Sequence, residues 1–199
     1  MNRIAGGGAA LDPFIPRFDV RERFAIEVAA PAERVLATAI GFDLQSPRAI
    51  RAIFRAREWI MGSSTMPRRE PTGLLDELRG LGWGVLEEVP GRLVVCGAWC
   101  EPWQADVRFH AIAPGEFAAY AEPERVKIAW TLEVEPLAAA RCRFAHETRV
   151  VATDEPARRR FRRYWRWARF GIVSIRLLLM PAVRRAAERT WRRGAASAP

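Results

Sequence analysis

The C-terminal part of the chain carries an apolar stripe with helical spacing, and this stripe constrains the fold most. Its residues follow at intervals of four, three, four, three and four: Phe161, Trp165, Ala168, Ile172, Ile175 and Leu179. Such spacing places all six side chains on one helix face. The preceding Thr153-Asp154-Glu155-Pro156 is typical of a helix start, with a capping side chain and a proline in the first turn. We therefore predict a long C-terminal helix, bent or interrupted at Gly171 and Pro181.

Strand-like sequence precedes this helix. Five segments have the alternation or composition of strands: residues 18–28, 83–89, 93–100, 125–135 and 142–152. Pro90-Gly91 joins the second and third of them and predicts a hairpin turn. Short amphipathic helices are expected after Pro31, after Pro47 and over residues 74–81. A strand, short helices, antiparallel strands and one long helix, in that order, predict an α+β fold.

Positive charge is concentrated in the C-terminal helix. The chain has a net charge of +9, and residues 155–194 hold 13 arginines against 2 acidic residues. An Arg-rich helix can contact anionic lipid or nucleic acid, or it can simply be a solvated face. Since the aromatic residues of the helix are needed for the inward stripe, we expect only arginine to face outward. That composition predicts at most a weak, salt-sensitive contact with an anionic membrane, and it disfavours nucleic acid as a partner.

The three cysteines, Cys96, Cys100 and Cys142, lie in apolar strand-like sequence. Such thiols pack as small hydrophobic groups, and three of them suit a reducing cytoplasm. The sequence has no Cys-x-x-Cys pair, no Gly-rich phosphate loop and no Ser-His-Asp order, so we predict no metal and no cofactor. The N-terminus lacks the apolar core of a signal peptide. The longest apolar stretch, residues 170–181, is shorter than the roughly 20 residues that a spanning helix needs.

The strand Asp19–Val28 running into Ala30-Pro31-Ala32-Glu33-Arg34-Val35 resembles the opening of the SRPBCC superfamily, which includes START-like lipid-transport proteins and polyketide cyclases/dehydrases. The hairpin, residues 122–130, residues 147–150 and the Arg-rich helix are also similar to an uncharacterised branch of that superfamily. The resemblance covers Phe18 to Glu188. It implies a helix-grip (START-like) fold, in which a curved antiparallel sheet wraps around the long C-terminal helix and encloses an apolar cavity. It carries over no catalytic residue, because the superfamily shares no universal catalytic motif.

The resemblance and the composition together divide the chain into three regions. Residues 1–17, with three glycines and two prolines, are expected to form a flexible N-terminal arm. Residues 18–192 would form the START-like ligand-binding domain, and residues 193–199 a flexible tail.

In such a fold the inward strand residues and the helical stripe would face one another. The expected ligand-binding residues are Trp99, Ile128, Trp130, Leu132, Phe144, His146, Thr148, Trp165, Ala168 and Ile172. The same residues would serve a solid core, and the resemblance favours a cavity. The predicted function is binding or carriage of a small hydrophobic molecule, a lipid or a polyketide-like compound.

Two alternatives stay open. The first is a cyclase or dehydratase acting on a polyketide-like substrate, with His146 as the acid/base. The second is a peripheral binder of anionic membranes that uses the Arg-rich helix. Among the other polar residues, Glu22 is expected at an exposed strand end. Glu147 and Arg149 are expected to form surface ion pairs on the opposite sheet face.

Overall fold

A computed structural model describes residues 2–3, 9–43, 46–62 and 73–196. The strands are β1 (Asn2–Arg3), β2 (Val20–Val28), β3 (Gly84–Val89), β4 (Leu93–Cys100), β5 (Val126–Ala138) and β6 (Arg141–Ala152). The helices are α1 (Ala32–Ile40), α2 (Arg48–Met61), α3 (Leu74–Gly80), α4 (Pro114–Phe117) and α5 (Glu155–Ala196), with a 3-10 turn at Ala9–Leu11. All five predicted strands are therefore present.

The strands form one antiparallel sheet in the order β1-β2-β6-β5-β4-β3, in which β1 is a two-residue edge strand. The predicted hairpin joins β3 to β4, and its turn contains Gly91 with φ +71°. Glycine adopts this left-handed conformation without steric cost. β6 lies at the centre of the sheet between β2 and β5, so that His146 is opposite Phe24 on one side and Leu132 on the other.

The C-terminal helix α5 is 42 residues long. Asp154 caps its start, because its Oδ1 accepts a hydrogen bond from the backbone N–H of Ala157 at 2.8 Å. The helix continues through Gly171 and Pro181, so the predicted interruption is wrong. Proline removes one backbone N–H, and the burial of the neighbouring Met180 and Val183 against the sheet offsets that loss. The helix also extends to Ala196, beyond the predicted domain end at residue 192.

One face of the sheet packs against α5, α1 and α3. This arrangement of a curved antiparallel sheet with a long C-terminal helix is the helix-grip fold that the resemblance implies. Strand side chains alternate between the two faces, so Phe24, Trp130 and Phe144 all point toward the helices. Across the described ranges no helix, α5 included, is both long and apolar enough to cross a bilayer.

The opposite face of the sheet is buried as well. Leu11 and Ile15, from the segment before β2, are 0% and 1% exposed and pack with Phe117 and Ala129. Within the predicted arm, residues 9–17 therefore lie against the sheet. The few apolar side chains of this segment pack on an apolar surface of the sheet, and their burial stabilises the contact.

This covering segment also buries charge. Glu147, 2% exposed, accepts hydrogen bonds from the Nε atoms of Arg21 (2.9 Å) and Arg149 (2.8 Å). Arg149, 4% exposed, donates through Nη1 to Asp12 (2.6 Å) and to the carbonyl of Ile15 (2.9 Å). The prediction of surface ion pairs is wrong here, because residues 12–15 lie over the strand and exclude water from the pair.

Candidate functional site

The helix α5 packs closely against the sheet near both ends and more openly in its middle. Toward its N-terminus Phe161, Tyr164 and Ala168 are buried, and toward its C-terminus Met180, Val183 and Ala187 are buried. Residues 171–176, between these two groups, are all half-buried. The middle of α5 therefore bridges two separate apolar clusters without being sealed into either of them.

A polar cluster occupies this middle region. We use the term for four side chains: Glu22, His146, Thr148 and Arg176. The first three come from paired positions of β2 and β6, with Glu22 directly opposite Thr148. They project from the sheet face that α5 covers, and Arg176 reaches them from the helix. Charge and hydrogen-bonding groups are thus gathered between the two apolar clusters.

Arg176 is the centre of the polar cluster. Its Nε donates to Nε2 of His146 at 2.9 Å, and its Nη2 donates to Oγ1 of Thr148 at 2.9 Å. Its Nη1 donates to the carbonyl of Ile172, one helical turn earlier, at 3.1 Å. A guanidinium has five N–H bonds. Among the described residues, no acceptor lies within hydrogen-bond distance of the remaining two.

Arg176 stays protonated at neutral pH. Burial lowers the pKa of its guanidinium to about 10, and the nearby carboxylate of Glu22 opposes this fall. Glu22 is 7% exposed, so the expectation that it sits at an exposed strand end is wrong. The site therefore combines a buried carboxylate with a guanidinium that water reaches only in part.

The hydrogen bonds of His146 fix its tautomer. Nδ1 lies 2.8 Å from the backbone carbonyl of Thr131, and a carbonyl can only accept, so Nδ1 carries the proton. Nε2 then accepts from Arg176 and also lies 3.1 Å from Oγ1 of Thr148. Burial, and secondly the charge of Arg176, lower the pKa of His146 to about 3. The imidazole is neutral at physiological pH and both of its nitrogens are engaged.

Nine of the ten predicted site residues lie between the sheet and α5, six of them on strands and three on α5 itself. Four belong to the cluster at the N-terminal part of the helix: Ile128, Trp165, Ala168 and Ile172. Three belong to the cluster at its C-terminal part: Trp130, Leu132 and Phe144. His146 and Thr148 lie in the polar cluster between them. Ile128, Trp165 and Ile172 are only half-buried, so part of their surface stays accessible at the border of this cluster.

Trp99 does not belong with the other nine residues. Its ring stacks on His110 at 4.0 Å between centroids, on the sheet face opposite to α5. It lines a separate cleft of about 380 Å³ together with Glu101, Arg108 and Arg125. The cation of Arg125 lies 4.8 Å from the Trp99 ring and is already paired with Glu101. Because Arg125 and Glu101 of this cleft already pair with each other, it is the weaker candidate site.

Sequence reasoning missed Arg176. It lies four residues after Ile172, which puts it on the face of the apolar stripe, within an apolar stretch. A charged residue on the inward face of a helix indicates a candidate functional residue. Here it was not recognised because the same segment contains thirteen arginines. Within the described residues, no group of three or more His, Cys, Asp or Glu side chains is arranged to hold a metal ion.

Comparison with known proteins does not assign the chain to a family. No protein-family model and no curated protein matches it. The solved structures that match the chain include two proteins. One is the hypothetical protein jhp0584 from Helicobacter pylori, with 12% identity and a TM-score of 0.44 over 94% of this chain and 97% of the other. The second is protein CV1439 from Chromobacterium violaceum, with 13% identity and a TM-score of 0.34 over 82% and 96%.

Proposed function

We propose that this protein binds a small hydrophobic molecule with an acidic or carbonyl-containing head group, in the space between the sheet and α5. The observation that carries the proposal is the placement of Arg176. Its cation is held by His146 and Thr148 in the half-buried middle of α5, with an apolar cluster on either side.

The chemistry of the polar cluster favours an acceptor on the ligand. A buried charge is costly unless it is paired and hydrogen-bonded. Arg176 has Glu22 nearby, yet two of its N–H bonds lack an acceptor among the described residues. A carboxylate or carbonyl oxygen would supply one, since guanidinium groups bind carboxylates with two parallel hydrogen bonds.

The apolar clusters on either side favour a hydrophobic ligand body. Ile128, Trp165 and Ile172 keep part of their surface accessible although they lie between sheet and helix. Small-molecule sites commonly combine such apolar walls with a few polar groups that orient the ligand. An acyl chain or a flat polyketide-like ring system fits this description.

Binding or carriage is better supported than catalysis. A general acid/base near neutral pH needs a pKa close to the working pH. The pKa of His146 falls to about 3, and both of its nitrogens are engaged, so it suits the role of orienting Arg176. The three cysteines are free and buried, and we place the protein in a reducing compartment, the cytoplasm.

The test is a pair of fluorescence-displacement titrations, with a long-chain fatty acid and with the alcohol of the same length. The wild type should prefer the acid, because a hydrogen bond to a charged group contributes about 1.5–3 kcal/mol, or about tenfold and more in affinity. Arg176→Met should lose this preference and still bind the alcohol. Arg189→Met is the matched control on the exposed side of the same helix and should keep the preference.

A second variant guards against loss of folding. Arg176→Lys keeps the charge and loses the planar fork, so it should fold and show an intermediate preference. Equal affinity of the wild type for acid and alcohol, or an unchanged preference in both Arg176 variants, would refute the head-group assignment. Absence of any displaceable probe would refute the site itself.

A further inference from the structure

The outward face of α5 carries exposed apolar side chains between residues 167 and 178. Trp167, Phe170, Leu177 and Leu178 are 39%, 64%, 45% and 37% exposed. We call these four residues the outer patch. Separations of three, seven and one residues place them along one side of the helix. They extend over about 17 Å, from the rise of about 1.5 Å per residue.

This finding corrects the expectation that only arginine would face outward. The inward contacts of this part of the helix are made by Phe161, Tyr164 and Ala168, and these leave Trp167 and Phe170 on the other side. Large exposed apolar side chains in a group are unusual on a protein surface and indicate an interaction site.

The helix around the outer patch is strongly basic. Arg163, Arg166 and Arg169 lie at its N-terminal end and Arg185 lies beyond its C-terminal end, all of them exposed. The guanidinium of Arg169 is 4.8 Å from the ring centroid of Phe170. From residue 156 to residue 187 the helix contains no acidic residue. Apolar surface is thus flanked by positive charge at both ends.

We propose that the outer patch docks on an anionic phospholipid bilayer, with α5 lying along the membrane surface. In such helices the apolar side chains enter the boundary between head groups and acyl chains, while Arg or Lys contact the anionic head groups. We expect the helix to lie parallel to the membrane surface, because its outer side has apolar side chains in the middle and positive charge at both ends. This inference stands on residues that take no part in the ligand site.

A second copy of the chain is a poorer occupant of the same surface. If two α5 helices paired in antiparallel orientation through the outer patch, the arginines at the N-terminal end of one patch would lie close to the arginine at the C-terminal end of the other. Like charges so placed repel, and no acidic residue from 156 to 187 compensates them. An anionic surface is attracted by both groups of arginines and accepts the apolar residues between them.

The test is co-sedimentation of the full-length protein with phosphatidylcholine vesicles, with and without phosphatidylglycerol, at low and at physiological salt. The double variant Trp167→Ser/Phe170→Ser removes the two aromatic residues of the patch, which are exposed, so folding should be kept. Val89→Ser, at an apolar residue of β3 that is 37% exposed, is the matched control.

The wild type and Val89→Ser should bind the anionic vesicles and retain binding at physiological salt, because apolar insertion does not depend on ionic strength in this range. The affinity of the double variant for these vesicles should be lower by about tenfold or more, because burial of the two aromatic side chains contributes to binding. Three results would overturn the proposal. The first is that the wild type does not bind vesicles. The second is that physiological salt abolishes binding while the double variant still binds at low salt. The third is that the wild type self-associates and the double variant does not.

Discussion

The protonation of His146 makes the stability of the fold depend on pH in a defined window. An unfolded histidine has a pKa of about 6.5, and in the folded protein burial and Arg176 lower the pKa of His146 to about 3. Below pH 6.5 the unfolded chain therefore binds a proton that the folded chain does not. The free energy of unfolding must then fall as the pH drops from 6.5 toward 3, and this histidine contributes no change above pH 7.5.

The magnitude follows from the same two pKa values. Each pH unit between them contributes about 1.4 kcal/mol, so the loss at pH 5 is about 2 kcal/mol relative to pH 7.5. The imidazole keeps part of its surface accessible, and solvent screening reduces this to about 1–2 kcal/mol.

The assay is urea unfolding at pH 7.5 and pH 5.0, followed by tryptophan fluorescence. His146→Asn retains an N–H for the carbonyl of Thr131 and cannot titrate, so its loss of stability between the two pH values should be smaller than that of the wild type by about 1–2 kcal/mol. His110→Gln, at the exposed second histidine, should behave as the wild type does. An identical pH dependence in the wild type and His146→Asn would refute a neutral His146 with a lowered pKa.

Three further predictions concern the elements that hold the site, each measured by thermal or urea denaturation. Phe161→Ala should lower the free energy of unfolding by about 3–5 kcal/mol, because Phe161 is 2% exposed. Trp165→Ala should lower it clearly less, because Trp165 is half-buried. The reverse order would show that α5 is rotated about its axis. Glu147→Gln should lower the free energy of unfolding by about 3 kcal/mol, because it removes a buried carboxylate charge that pairs with both Arg21 and Arg149. A mild effect there would mean that water reaches the pair. Asp154→Ala should lower the melting temperature because the N-cap hydrogen bond to Ala157 is lost, and no change would show that the cap is not formed.

The strands and the long helix could be predicted because one periodic pattern defines each of them. β6 alternates along its length, and this alternation placed Phe144, His146 and Thr148 on the correct face. The helical stripe likewise placed Ala168 and Ile172 correctly. Periodicity records which side of an element is apolar, and that was sufficient for these residues.

Long-range covering contacts could not be predicted in this way. Glu147 and Arg149 have the sequence pattern of a solvated strand face, and they are buried only because residues 12–15 lie over them. That segment has no periodicity, and two side chains, Leu11 and Ile15, provide its main apolar contact. No local pattern contains such information.

The error at Trp99 has a different physical cause. β4 is buried on both faces, and its sequence Leu-Val-Val-Cys-Gly-Ala-Trp-Cys is a continuous apolar run. Without alternation, the sequence does not show which residues point toward the helix. In the structure Val94 and Cys96 face α5, and Trp99 necessarily faces the other way.

In the function that we propose, Arg176 holds the head group of a hydrophobic ligand between sheet and helix. A crystal structure of the protein grown with a long-chain fatty acid tests it most directly. We expect a carboxylate within about 3 Å of a terminal nitrogen of Arg176, with the acyl chain running between Ile128 and Ile172. A closed interior without fatty acid, or a carboxylate bound at Trp99 on the opposite face of the sheet, would contradict it.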